Sequence, residues 1–111
     1  ARPGFPVSAI GQAAESSARA AGYSVIRELP GHGVGRALHE EPSIPGHFDP
    51  AATAPLTEGL VITVEPHLTA GTGELEEGAD GWTLRTVDRR WVAAFEHTIV
   101  VSAAGPVVVT T

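Results

Sequence analysis

The 111-residue chain contains no cysteine, no methionine and no lysine. The missing cysteines exclude a disulfide framework, thiolate zinc sites and a cysteine nucleophile, so any metal must sit on His, Asp or Glu. Charge is sparse, at 18% of residues, and one-sided: seven Arg against thirteen acidic residues give a formal net charge of -6. The arginines are scattered, which removes the basic footprint that phosphate-backbone binding requires and argues against a nucleic-acid partner. No apolar run approaches the roughly 18 residues of a membrane span, and no basic-then-apolar signal segment opens the chain. A cytoplasmic protein without a membrane partner is the expectation. The chain opens Ala1-Arg2-Pro3-Gly4 rather than with methionine, which reads as a fragment or a processed product; removal of an initiator methionine before a small Ala is the alternative.

What is present fits one small domain able to bury a core, with 42% of residues apolar. From about Pro6 to Ala21, the residues Val7, Ile10, Ala14 and Ala18 recur near a 3.6-residue period, which predicts an amphipathic helix with Pro6 in its first turn and Gly22 as its C-terminal cap. Tyr23 to Ile26 reads as a strand. Gly31-His32-Gly33-Val34-Gly35 reads as a tight loop, and Glu41 to Glu58, with four prolines, as an irregular stiffened segment. Leu60-Val61-Ile62-Thr63-Val64 is a β-branched run expected to be a buried strand that ends at Glu65-Pro66. Residues 69–81 read as turn material; Trp82 to Val87, Ala93 to Val101 and Val107 to Thr110 read as further strands. The expected fold class is α+β, one amphipathic helix packed on an antiparallel sheet.

The polar residues that interrupt this pattern carry the chemistry. Glu65 closes an apolar strand and Glu96 interrupts another, so both carboxylates fall where burial is expected. Two such groups in one small sheet point to a shared cation, to which His32 could add an imidazole nitrogen; this donor set suits Mn, Fe, Co or Zn. Against that stand a strand-end carboxylate in solvent, an outward-facing edge position and a turn histidine. Gly31-x-Gly33-x-Gly35 has neither the spacing of a dinucleotide fingerprint nor the Lys-Ser/Thr of a P-loop. His39-Glu40-Glu41-Pro42 lacks the second His of a zincin, and no Gly-x-Ser-x-Gly elbow is present. His47, His67 and His97 read as surface or hydrogen-bonded residues.

Five linked motifs, Gly31-His32-Gly33-Val34-Gly35-Arg36, His39-Glu40-Glu41-Pro42, Thr63-Val64-Glu65-Pro66, Asp80-Gly81-Trp82-Thr83 and Phe95-Glu96-His97-Thr98, together resemble type I methionine aminopeptidase in order and spacing. The resemblance runs through nearly the whole chain. It implies the duplicated pita-bread fold, of which residues 1–111 look like the carboxy-terminal half of the catalytic domain, with the amino-terminal half absent. It also implies a hydrolase that removes amino-terminal methionine from new polypeptides by metal-activated water, using two divalent ions in the complete domain.

By position, His32, Glu65 and Glu96 then match metal ligands, with Glu96 bridging. Glu65 would also carry a proton toward the departing amine, and His39 would be catalytic, hydrogen-bonding the substrate and its oxyanion. Leu38 and Trp82 match positions near the methionine side-chain pocket. The departures are equally specific. Two aspartate ligands and a further histidine of the family lie in the other half, and Asp49, Asp80 and Asp88 do not stand where they could replace them. Ala94 and Val92 occupy positions where Gln and Ser are common, which bears on methionine preference. The isolated half is therefore expected to be impaired, and to pair with its missing half or with itself. The alternatives are a non-catalytic peptide-binding module of the same fold and a related metallopeptidase with another first-residue preference.

Overall fold

The computed structural model describes residues 1–110. Helix α1 (Ser8–Ala20) forms on the expected periodicity, with Val7 and Ala18 buried at its two ends. Its C-terminus is closed by a Schellman motif. Gly22 takes φ +82°, a left-handed conformation that L side chains disfavour, and the N–H groups of Gly22 and Tyr23 donate to Arg19 O and Ala18 O. The Glu15 carboxylate accepts the Phe48 N–H at 3.0 Å and pairs with Arg19 and Arg27 at 3.3 Å, tying the helix to the segment beneath it. The Phe48 N–H, with help from the two arginines, holds the Glu15 carboxyl below its ordinary pKa.

The strands are β1 (Ser24–Val25), β2 (Gly31–Gly33), β3 (Glu40–Ile44), β4 (Val61–Val64), β5 (His67–Thr69), β6 (Leu75–Glu77), β7 (Leu84–Thr86), β8 (Val92–Ala94), β9 (His97–Val100) and β10 (Val107–Val108). They form a five-stranded antiparallel sheet in the order β10-β9-β4-β2-β3, a three-stranded sheet β1-β5-β8, and the hairpin β6-β7. α1 packs against β1 and β3. Val7, Ile44, Leu56, Ile62, Ile99 and Val101 form the core between helix and large sheet, flanked by Ile10 and Val64. This is the α+β layer expected from the periodicities.

Several elements differ from the expectations. Gly31–Gly33 is a strand, not a loop, because neighbouring backbone on both sides comes too close for a side chain. A Cβ on Gly31 would stand 2.5 Å from Thr63 O, and one on Gly33 would collide with the Glu41 carbonyl. The proline-rich segment begins with a strand, β3, which tolerates Pro42 because it is the terminal strand of its sheet and need not donate on both sides. Within residues 69–81, expected to be turn material, Thr69 ends the paired strand β5 and residues 75–77 form the paired strand β6, and the single strand expected from Ala93 to Val101 is broken at Phe95-Glu96 into β8 and β9.

Candidate active site

The site is built on one two-stranded ribbon. β4 pairs with β9 from Val61↔Val100 to Val64↔His97, and β5 pairs with β8 from His67↔Ala94 to Thr69↔Val92. The two ladders keep the same register, so the interrupted positions between them place Glu65 opposite Glu96 and Pro66 opposite Phe95. The interruption has a local cause. Pro66 has no N–H to donate, and it confines Glu65 before it to extended backbone. The ribbon passes from the large sheet into the small one at this corner. Two acid side chains thus occupy the same rung of the one place where the ladder opens.

His32 joins from the neighbouring strand. The Gly33↔Ile62 bridge makes β2 antiparallel to β4, which puts His32 opposite Thr63. His32 Nδ1 lies 2.8 Å from Gly33 O. A carbonyl can only accept, so Nδ1 carries the hydrogen, and in the neutral ring Nε2 presents its lone pair. Nε2 lies 3.5 Å from Glu65 Oε1, and both side chains are about one-sixth exposed, at 16% and 18%. That 3.5 Å separation is about what two donors on one ion with bonds of roughly 2.0–2.2 Å would show. The donor chemistry of this pair, a neutral imidazole and a carboxylate, fits a divalent cation. Among the described residues no group of three or more His, Cys, Asp or Glu is placed to hold one, and the His32–Glu65 pair by itself supplies two donors.

Thr63 was not singled out by the sequence, where it reads as one more strand former in an apolar run. It is 2% exposed; its hydroxyl accepts the His32 N–H at 2.9 Å and donates to Glu65 Oε1 at 2.8 Å. The available signal was its position two residues before Glu65, hence on the same face of the strand.

The other candidates are distributed around this pair. Glu96 continues the register but its side chain is exposed, contrary to the burial expected of it. His39 is exposed, with its ring centroid 4.2 Å from that of His32 and the planes inclined at 57°. The loop that carries it is held by Glu40, whose carboxylate accepts the Ala37 N–H at 2.8 Å. Leu38 and Trp82 are 70% and 87% exposed, and the structure does not bring them to the His32–Glu65 pair as a formed pocket. Trp82 follows a tight turn organised by Asp80, which accepts N–H donors from Trp82 and Thr83 and the Thr83 hydroxyl at 2.6 Å. The Thr83 hydroxyl, then the two N–H groups, hold the Asp80 carboxyl down at a pKa of about 2. His97 is hydrogen-bonded, its Nδ1 3.0 Å from Thr110 O, but His47 and His67 are half-buried with Nδ1 atoms that have no partner among the described residues.

An antiparallel α+β layer that sets a neutral imidazole and a carboxylate side by side has the donor chemistry of a metallopeptidase fold. The model of metallopeptidase family M24 matches residues 1–103, and the chain belongs to that family. It is 44% identical over 109 residues to methionine aminopeptidase B of Synechocystis, covering 98% of this chain and 40% of the relative. To methionine aminopeptidase 2 of Bacillus subtilis it is 40% identical over 111 residues, covering 99% and 45%. The crystal structure of methionine aminopeptidase from Thermotoga maritima superposes with a TM-score of 0.91 at 35% identity, over 97% of this chain and 43% of that one. The pita-bread assignment thus holds for the fold. The chain spans less than half the length of these relatives.

Proposed function

We propose that this chain is the carboxy-terminal half of a cytoplasmic methionine aminopeptidase that removes the first methionine from new polypeptides. The observation that carries the reading is the ladder break that puts Glu65 opposite Glu96, with His32 beside Glu65 on the next strand. Identity of 40–44% to methionine aminopeptidases supports the reaction class. Among the described residues no helix is long and apolar enough to cross a membrane.

His32, Glu65 and Glu96 would hold divalent metal, with Glu96 shared between two ions in the complete domain. When bound, such ions lower the pKa of water and polarise a carbonyl. The chain's own residues do the rest. Glu65 takes a proton from water and passes it toward the departing amine. His39, exposed at the rim, hydrogen-bonds the peptide carbonyl and the oxyanion that develops from it. Leu38 and Trp82 would close around the methionine side chain only after the remainder of the enzyme covers them, since both are largely exposed here.

The dependence on a second half has a physical trace. An apolar groove of about 680 Å³ runs between α1 and the sheet, lined by Ala9, Ala13, Ile10, Val64, Phe95 and Ile99 among others. Phe95 is 80% exposed within it. Such a surface is what a covering half, or a second copy, would bury.

The test is release of free methionine from Met-Ala-Ser by the complete polypeptide supplied with Mn(II) or Co(II), alongside its Glu65→Gln variant and the 111-residue chain alone. Turnover is expected only in the first. Inactivity of the metal-loaded complete protein on Met peptides overturns the reading, and preference for a Pro or Leu first residue would reassign its specificity. Turnover by the 111-residue chain would overturn its dependence on a second half.

A further inference from the structure

We infer that Thr63 is a positioning residue whose hydroxyl holds the Glu65 carboxylate and strand β2 in one arrangement, so that His32 and Glu65 present their donors to a single cation. This rests on the metal-ligand reading of His32 and Glu65.

The hydroxyl is fully committed. Its hydrogen goes to Glu65 Oε1 at 2.8 Å, the alternative acceptor His32 O being farther away at 3.4 Å, while its lone pair takes the His32 N–H at 2.9 Å. One buried atom therefore touches the backbone of one donor residue and the side chain of the other. The direct pairing of β2 with β4 is a single bridge, Gly33↔Ile62, extended by Val34 N–H to Val61 O at 2.9 Å. At His32 the backbone N–H donates to the Thr63 hydroxyl rather than to a β4 carbonyl. Without the hydroxyl, the His32 N–H loses this acceptor, and the Glu65 carboxylate loses the donor that fixes its side-chain torsions. Gly31 makes this contact reachable, since a side chain there would meet both Thr63 O and Oγ1.

Outer partners of metal ligands typically tune affinity by about 10–100-fold. The geometry assigns that function here to Thr63, with the hydroxyl as the acting group and the methyl as packing.

The experiment uses the complete polypeptide and its Thr63→Val, Thr63→Ser and Glu65→Gln variants. Mn(II) is titrated into each and the free ion is read by its electron paramagnetic resonance signal, with melting temperatures recorded in parallel. Thr63→Val, nearly equal in shape, is expected to bind Mn(II) about tenfold or more weakly, while Thr63→Ser stays within about threefold of wild type. Wild-type affinity in a folded Thr63→Val variant overturns the inference, because a purely structural threonine would lower only the melting temperature. Should Thr63→Val not fold, Thr63→Ser decides alone: a tenfold loss despite its retained hydroxyl overturns the assignment. If Glu65→Gln binds Mn(II) like wild type, the underlying ligand reading fails, a result distinct from failure of the Thr63 inference while Glu65→Gln loses the ion.

Discussion

Replacing Gly31 by alanine tests whether the close approach of β2 to β4 holds the site together. Its φ is not left-handed, so chain entropy alone would make the alanine variant more stable by about 0.4–1 kcal/mol. The structure predicts the opposite sign. The added Cβ would lie 2.5 Å from Thr63 O and 3.0 Å from Thr63 Oγ1, whereas unstrained heavy-atom contacts begin near 3.5 Å. The nearer atom is backbone and cannot rotate away, so β2 must move about 1 Å from β4. Such overpacking costs roughly 1–3 kcal/mol. Set against the entropic gain, the net expectation is a loss centred on about 1 kcal/mol, which lowers the melting temperature by roughly 2–8 °C depending on how large a unit unfolds together. Urea denaturation of the complete polypeptide, with Gly46→Ala as control, measures this. The Gly46 Cβ would meet only the Val25 side chain closely, at 3.3 Å, which can yield. A Gly31→Ala variant as stable as wild type, or more so, would refute the close-approach argument.

Asp80 yields a prediction about pH. Its pKa is depressed to about 2, so its contribution to the turn is fully present above the ordinary carboxyl value of about 3.9 and is lost as pH falls through 2. The amide shifts of Trp82 and Thr83 should therefore hold constant from pH 7 to 4 and move only below about 3; a transition near pH 4 would contradict the assignment. Ala13 lines the apolar groove on α1 and is exposed in this half. If the rest of the enzyme covers that groove, Ala13→Glu should destabilise the complete polypeptide by about 1–3 kcal/mol in thermal unfolding, and an unchanged melting temperature would count against the groove as an internal interface.

How much of this was legible in the residues depends on whether their signal is local. The α1 stripe of Val7, Ile10, Ala14 and Ala18 fixes a helix by itself, and the β-branched run before Glu65-Pro66 fixes a strand and its end. The glycines of β2 read as a loop because their fitness for a strand lies in what approaches them, the carbonyls of Thr63 and Glu41, which are distant in sequence. The same holds for Pro42, acceptable only because β3 is terminal. For the site, Glu65 stood out as a carboxylate against an apolar pattern and His32 by its glycine setting, and the structure pairs them. Glu96 stood out for the same reason as Glu65 but is exposed. Thr63 obeyed the pattern, and only its place two residues before Glu65 marked it, although its hydroxyl links His32 and Glu65.

The shared register of the two ladders also separates what can vary from what cannot. Everything between Thr69 and Val92, including the β6-β7 hairpin and the Asp80 turn, is an appendage whose lengthening or shortening leaves the facing acids aligned. A one-residue insertion between Val61 and Glu65 has no such freedom: it turns alternate side chains to the opposite face and carries Glu65 off the face it shares with Thr63. Evolution and engineers alike can therefore rebuild the far end of this ribbon while its corner stays fixed in length.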